Sequence, residues 1–182
     1  MKDHVLIAVD LQRDFIDGAL GTPEAEAIVP AAAEKIRRAR ELGDVVIATL
    51  DTHGEDYLMT REGRWLPVEH CVEGEPGWEL HPLIAEALGD APRLKKRSFG
   101  SLELPALVRE LTGCEGDGEE LAIELIGLCT DICVVSNALI VKAALPEAEV
   151  RVDALCCAGV TPENHRAALE TMRSCQIDVR HR

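Results

Sequence analysis

Aromatic side chains are scarce in this 182-residue chain: two phenylalanines, one tyrosine and two tryptophans are all it has, so where those five stand carries information. Positive charge is short as well. Against 33 acidic residues stand 19 lysines and arginines, a formal charge of -14, which opposes docking on phosphate backbones or anionic lipid. Neither nucleic acid nor a membrane is expected as a partner. No apolar run approaches the roughly 20 residues that cross a bilayer, and Met1-Lys2-Asp3-His4 leads into a strand-like segment rather than a signal peptide. A disulfide framework is missing too. The seven cysteines are odd in number and irregularly spaced, and Cys156 adjoins Cys157. These absences predict a soluble protein of the reducing cytoplasm. Residues 1–182 form one domain, long enough to bury roughly two thirds of the surface its unfolded chain exposes.

What is present alternates. HVLIAVD (His4 to Asp10) and DVVIATLD (Asp44 to Asp51) are short β-branched apolar runs ending in a carboxylate, the signature of buried parallel strands. Between them Thr22-Pro23 starts a helix with Ala32, Ile36 and Ala39 on one face, stopped by Gly43. A second helix carries Leu104, Leu107, Val108 and Leu111, and a third strand runs from Glu120 to Gly127. The segment from about Cys133 to Ala144 is apolar nearly all round, which predicts a helix buried in the core or in an interface of a homo-oligomer. A strand from Glu149 to Leu155, a helix after Thr161-Pro162 and a last strand from Ile177 to Arg180 complete the pattern. The fold class is α/β, three layers, with a mostly parallel open sheet in the Rossmann-like manner. One polar stretch, at about 54–81, breaks the alternation and reads as a functional excursion over the sheet edge.

Chemistry-bearing residues stand at the strand ends, where ligands of such sheets bind. Asp10 closes the first strand and Asp51 and His53 the second; Lys96 follows the short run Ala91 to Leu94, and Cys133 lies just past Gly127. A thiol at a helix start feels the dipole and free N–H groups, which lower its pKa, so Cys133 is a candidate nucleophile; taken alone, a packed core cysteine would serve as well, the reading given to Cys114 and Cys175. Asp10 could orient or deprotonate the thiol, and Lys96 could hold that carboxylate and stabilise the thiolate. Asp51-x-His53 puts two ligands on one side of an extended segment, and His70 could supply a third for zinc or a similar divalent ion. No fourth ligand is evident. His81, His165 and His181 read as surface or capping residues. All five aromatics lie near these segments, which suits a flat, ring-bearing ligand, a lid, or ordinary packing beneath a long loop; Phe15, Trp65, Trp78 and Phe99 are the candidates for substrate.

Taken together these segments resemble the isochorismatase-like cysteine hydrolase superfamily, and within it the nicotinamidase type of amidase. VDLQRDF resembles the family's opening Val-Asp-x-Gln-x-Asp-Phe; TLDTH resembles its metal segment; LPVEHCVEGEPGWEL resembles the stretch that contributes the last metal histidine. KRSF is similar to the segment of the catalytic lysine, and GLCTDICV to that of the nucleophile. The resemblance implies a catalytic Asp10, Lys96 and Cys133, and a divalent metal on Asp51, His53 and His70, zinc before manganese or iron. It also implies a non-proline cis peptide between Leu128 and Cys129 and an oxyanion hole from the N–H groups of Cys129 and Cys133. The expected substrate is a small amide, nicotinamide or a similar aromatic one, cleaved through a thioester. Cys129 stands where the family usually has alanine, and Pro67 where many nicotinamidases carry an aromatic residue. Hydrolysis of N-carbamoyl or aliphatic amides, or of isochorismate, is the alternative reaction, and a thiol- or metal-binding relative without turnover is the non-enzymatic one.

Overall fold

The computed structural model describes residues 3–181. Six strands form one sheet, every neighbouring pair parallel: β1 (Asp3–Val9), β2 (Val45–Asp51), β3 (Arg93–Lys96), β4 (Leu121–Leu128), β5 (Glu149–Ala158) and β6 (Asp178–Arg180), in the spatial order β3-β2-β1-β4-β5-β6. The chain winds outward from β1 to β3, then returns to the other side of β1 and winds outward again. The order reverses between β1 and β4, and the crevice beyond their carboxyl ends is where a doubly wound sheet takes its ligand.

A single turn, α1 (Arg13–Ile16), follows β1, and longer helices cover both faces of the sheet. On one, α2 (Pro23–Leu42) and α4 (Pro82–Leu88) bury Ile28, Ala32, Ile36, Ile84 and Leu88 against Leu6, Ala8 and Ile126. On the other, α5 (Leu104–Thr112), α6 (Val135–Ala144) and α7 (Pro162–Ser174) bury Val108, Ala138, Val141 and Met172 against Val5, Ile7 and Ile123. Alternate residues of β1 thus serve opposite cores, which is why its sequence is apolar throughout. The ends of α2 follow from its residues. The Thr22 hydroxyl accepts from Ala25 N at 3.1 Å, Pro23 occupies the first turn, and Gly43 takes the left-handed φ of 80° that closes the last.

The structure departs from the sequence expectations at several points. The excursion at 54–81 holds a 3-10 turn (Tyr57–Met59) and a short helix α3 (Arg61–Trp65), and α4 follows it where no helix was predicted. Its seven residues, Pro82 included, are too few to display a period. β3 runs through to Lys96, so the lysine is the strand's last residue. The segment after β4 begins as a π-type turn, Thr130–Val134, before α6 proper. The apolar α6 buries only Asn137, Ala138 and Val141 fully. Cys114 is buried as expected, but Cys175 is exposed, because it falls just past the end of α7. Among the described residues, no helix is long and apolar enough to cross a membrane.

Candidate active site

Three residues distant in the chain meet at the β1/β4 crevice. Asp10, first after β1, has a left-handed backbone (φ 48°), a conformation costing a non-glycine residue about 1 kcal/mol. Its carboxylate is fully buried. Oδ1 accepts from Thr49 Oγ1 at 2.6 Å, and Oδ2 lies 2.7 Å from Lys96 Nζ. That oxygen sits off the line of a good hydrogen bond and retains a lone pair for another proton. Lys96 Nζ also stands 3.1 Å from Asp51 Oδ1 and 3.5 Å from Cys133 Sγ. Its side chain is 1% exposed.

Burial decides the electrostatics. Burial opposes the charge on Lys96, but Asp10, the Cys133 sulfur and Asp51 outweigh it and hold the ammonium above its ordinary range. Asp10 is pushed up by burial, with Lys96 pulling the other way. The Cys133 thiol is pushed well up, by burial first and the Asp10 charge second, with Lys96 opposing. This corrects the expectation of a thiol acidified by a helix start: the sulfur sits inside the π-type turn, 4% exposed, and desolvation wins there. Burial therefore favours the protonated form of the thiol.

A second cluster lies beside the first. Asp51, His53, Glu62 and His70 bring one donor atom each to within 4.8 Å of one another. His53 Nε2 is 3.1 Å from Asp51 Oδ2 and 3.8 Å from Glu62 Oε1; His70 Nε2 is 3.7 and 3.9 Å from the same two oxygens. His70 Nδ1 lies 2.8 Å from the Val68 carbonyl oxygen. A proton there makes that bond and leaves Nε2 free to coordinate. Two imidazoles and two carboxylates around one point suit a divalent cation. The fourth donor, Glu62 on α3, was missed in the sequence; its signal was a carboxylate between His53 and His70 in an excursion already taken as functional.

The excursion is fastened by residues of the opening motif. Gln12 Oε1 accepts from Asp51 N at 2.7 Å, while its Nε2 donates to the Asp51 and Trp78 carbonyls at 2.8 Å each. Asp14 Oδ2 accepts from Cys71 N at 2.7 Å, beside His70. A Cβ at Gly77 would lie 2.1 Å from that same Asp14 oxygen, so the loop must carry glycine there. Tyr57 is 0% exposed. Its ring packs 4.7 Å from His53 and 4.9 Å from His70, and its hydroxyl donates to Leu66 O at 2.9 Å.

A cavity of about 180 Å³ opens onto both clusters, lined by Asp51, Glu62, His70, Cys129 and Cys133 together with apolar Phe15, Leu66, Phe99 and Ile132. The cis peptide expected between Leu128 and Cys129 is present. Of the four aromatics proposed for substrate, the structure brings Phe15 and Phe99 to this cavity and not the two tryptophans. Trp65 is 91% exposed outside it. Trp78 packs beneath the excursion, its indole N–H donating to Thr52 Oγ1 at 3.0 Å and Lys95 lying over its ring.

A doubly wound parallel sheet with a carboxylate, an ammonium and a thiol at its switch point, beside a four-donor cluster, is the arrangement of a thiol-dependent α/β hydrolase. The particular family is shown by comparison: the Isochorismatase domain matches residues 4–181, and the chain belongs to that family. It is 28% identical over 192 residues to the nicotinamidase/pyrazinamidase of Mycobacterium tuberculosis, covering 97% of each chain. It is 30% identical to the nicotinamidase of Escherichia coli over 74% of each. Among solved structures, the pyrazinamidase of Pyrococcus horikoshii, in complex with zinc, superposes with a TM-score of 0.80 at 30% identity, covering 97% of this chain and 98% of that one.

Proposed function

We propose that this protein is an amidohydrolase that releases ammonia from a small aromatic amide, nicotinamide foremost, through a thioester on Cys133. The observation that carries the reading is the contact of Lys96 with both Asp10 and Cys133, whose side chain lines a small, mostly apolar cavity. The names of the relatives from M. tuberculosis and E. coli support the same reaction.

In this mechanism Asp10 takes the thiol proton as the sulfur adds to the amide carbon. Burial raises the Asp10 carboxyl above its ordinary value, which makes it a better proton acceptor, and Lys96 opposes that shift. The N–H groups of Cys129 and Cys133 receive the oxyanion. Asp10 then delivers its proton to the departing amine, and ammonia leaves. In the second half Asp10 draws a proton from water, which attacks the thioester and frees the acid and the thiol. Lys96 stays charged throughout, balancing first the thiolate and then the carboxylate. A divalent cation on Asp51, His53, Glu62 and His70 would supply Lewis acidity at the cavity wall and a seat for a ring nitrogen; zinc is the first to test, since the P. horikoshii structure contains it.

The test is ammonia release by the purified, metal-loaded protein from nicotinamide, pyrazinamide, benzamide and N-carbamoyl amino acids. Turnover of the aromatic amides is expected. Hydrolysis of the carbamoyl compounds alone moves the assignment to that branch, and no ammonia from any member rejects the reading.

A further inference from the structure

Beyond the inner cavity, and sharing Glu62 and Phe99 with it, the surface opens into a vestibule of about 1130 Å³ whose other walls include Arg61, Arg64, Trp65 and Arg97. The concentration of positive charge is out of keeping with the rest of the molecule. In a chain of formal charge -14, five of the seven other exposed arginines among the described residues end on carboxylates, as Arg37 does on Glu34, Arg40 on Asp90 and Arg166 on Glu163, while Arg38 and Arg93 stand apart from one another. Arg61, Arg64 and Arg97 form no ion pair among the described residues; Arg64 only donates through Nε to Thr60 O at 3.1 Å. Beside them Trp65 and Phe99 leave ring surface open to water. Guanidinium forks match the planar oxygens of carboxylates and phosphates, and aromatic faces hold a flat ring.

The inner cavity has room for little more than one six-membered ring and its amide. Anything carried on the far side of such a ring emerges past Glu62 and Phe99 into the vestibule. There Glu62 is the one carboxylate of the lining, against three arginines.

We propose that the vestibule is an anion subsite that takes a carboxylate or phosphate carried by an aromatic amide, so that a ring amide bearing such a group also enters and binds more tightly than its unsubstituted parent. This rests on the amidase reading only for which end of the ligand points inward.

The test compares three probes that differ at one position: benzamide, 3-carbamoylbenzoate and 3-carbamoylphenyl phosphate. Binding to the metal-loaded Cys133→Ala protein, followed by tryptophan fluorescence or calorimetry, needs no turnover. At low salt at least one anionic probe is expected to bind about tenfold more tightly than benzamide, and which one does so identifies the oxyanion preferred. The margin should shrink severalfold at 0.5 M salt, vanish in Arg61→Gln/Arg97→Gln, and survive in part in Arg61→Lys/Arg97→Lys. Equal affinity for all three probes overturns the proposal. So does a margin that persists without both arginines or is indifferent to salt, since the metal would then be holding the anion. If the wild type hydrolyses none of the probes while the arginine-dependent margin stands, the subsite holds and the amidase reading falls. Hydrolysis without any margin has the reverse meaning.

Discussion

Two lysines in this molecule each stand between two carboxylates, and the settings differ in almost every other respect. Lys35 of α2 reaches the sheet face, 2.8 Å from Glu124 of β4 and 2.5 Å from Asp153 of β5, with side-chain exposures of 23%, 26% and 3%. Lys96 reaches Asp10 and Asp51 at 2.7 and 3.1 Å, with all three side chains at 5% or less. At the first cluster burial works against Asp153, but Lys35 outweighs it and its carboxyl is held below the ordinary value. At the second, burial prevails and Asp10 is raised. The same trio of charges is an ordinary structural ion pair where water still reaches it and, in the proposed mechanism, a proton-transfer device where water is excluded, a thiol is added and a cavity opens alongside. Charge composition alone does not make a site; desolvation and a nucleophile do.

Matched substitutions break the comparison most sharply. Lys96→Met is expected to lower kcat by about a thousandfold or more, because neither the thiolate nor Asp10 keeps its counter-charge. Lys35→Met should leave kcat within about twofold and cost about 1–2 kcal/mol of stability, since it strands partly hydrated carboxylates. Steady-state rates and urea melts of the two variants decide it; a crippled Lys35→Met enzyme would erase the distinction.

Acid should separate the regions further. Burial opposes a proton on His53, but the hydrogen bond and charge of Asp51 outweigh it and raise the imidazole above 6.5, so protons compete with metal already from above that value. Metal affinity, measured by chelator competition, is expected to fall about tenfold for each pH unit below the apo-protein's His53 pKa. The Asp153 contribution behaves differently. With a folded pKa below 3.8, its stabilisation is complete above that unfolded value and is lost only as the pH falls through the folded one. At pH 5 metal affinity should therefore have fallen by more than tenfold with that ion pair intact. Undiminished affinity at pH 5 would contradict this.

The smallest effect concerns positioning by packing rather than by charge. Tyr57→Phe loses only the hydroxyl bond to Leu66 and should weaken metal binding about two- to fivefold. Tyr57→Ala removes the ring wedged against both histidines and should cost about ten- to a hundredfold. Equal affinities across the three proteins would leave Tyr57 a mere filler.

The strand-borne half of the site was legible in the sequence because parallel strands end on one edge and each of Asp10, Asp51 and Lys96 closes or follows an apolar run. The loop-borne half was read only in part. Asp51-x-His53 and His70 stood out by residue type, whereas Glu62 sits on a helix of five residues, capped by the Thr60 hydroxyl, that has no room for a hydrophobic period. The roles of Gln12 and Asp14 are contacts to backbone atoms 39 to 66 positions away, which no local pattern encodes. The direction of the Cys133 shift was misread because a helix-start argument ignores how deeply the turn is buried, a property of the packed state.

β3 is a four-residue edge strand whose alternation turns Lys96 inward and leaves Arg93 and Lys95 facing out. A second copy approaching with its own β3 margin would bring Arg93 toward Arg93, the Lys95 charge being held by Glu73. Self-association by continuing the sheet across that side is thereby discouraged, and the ammonium needed inside is delivered by a strand that also keeps its neighbours at a distance.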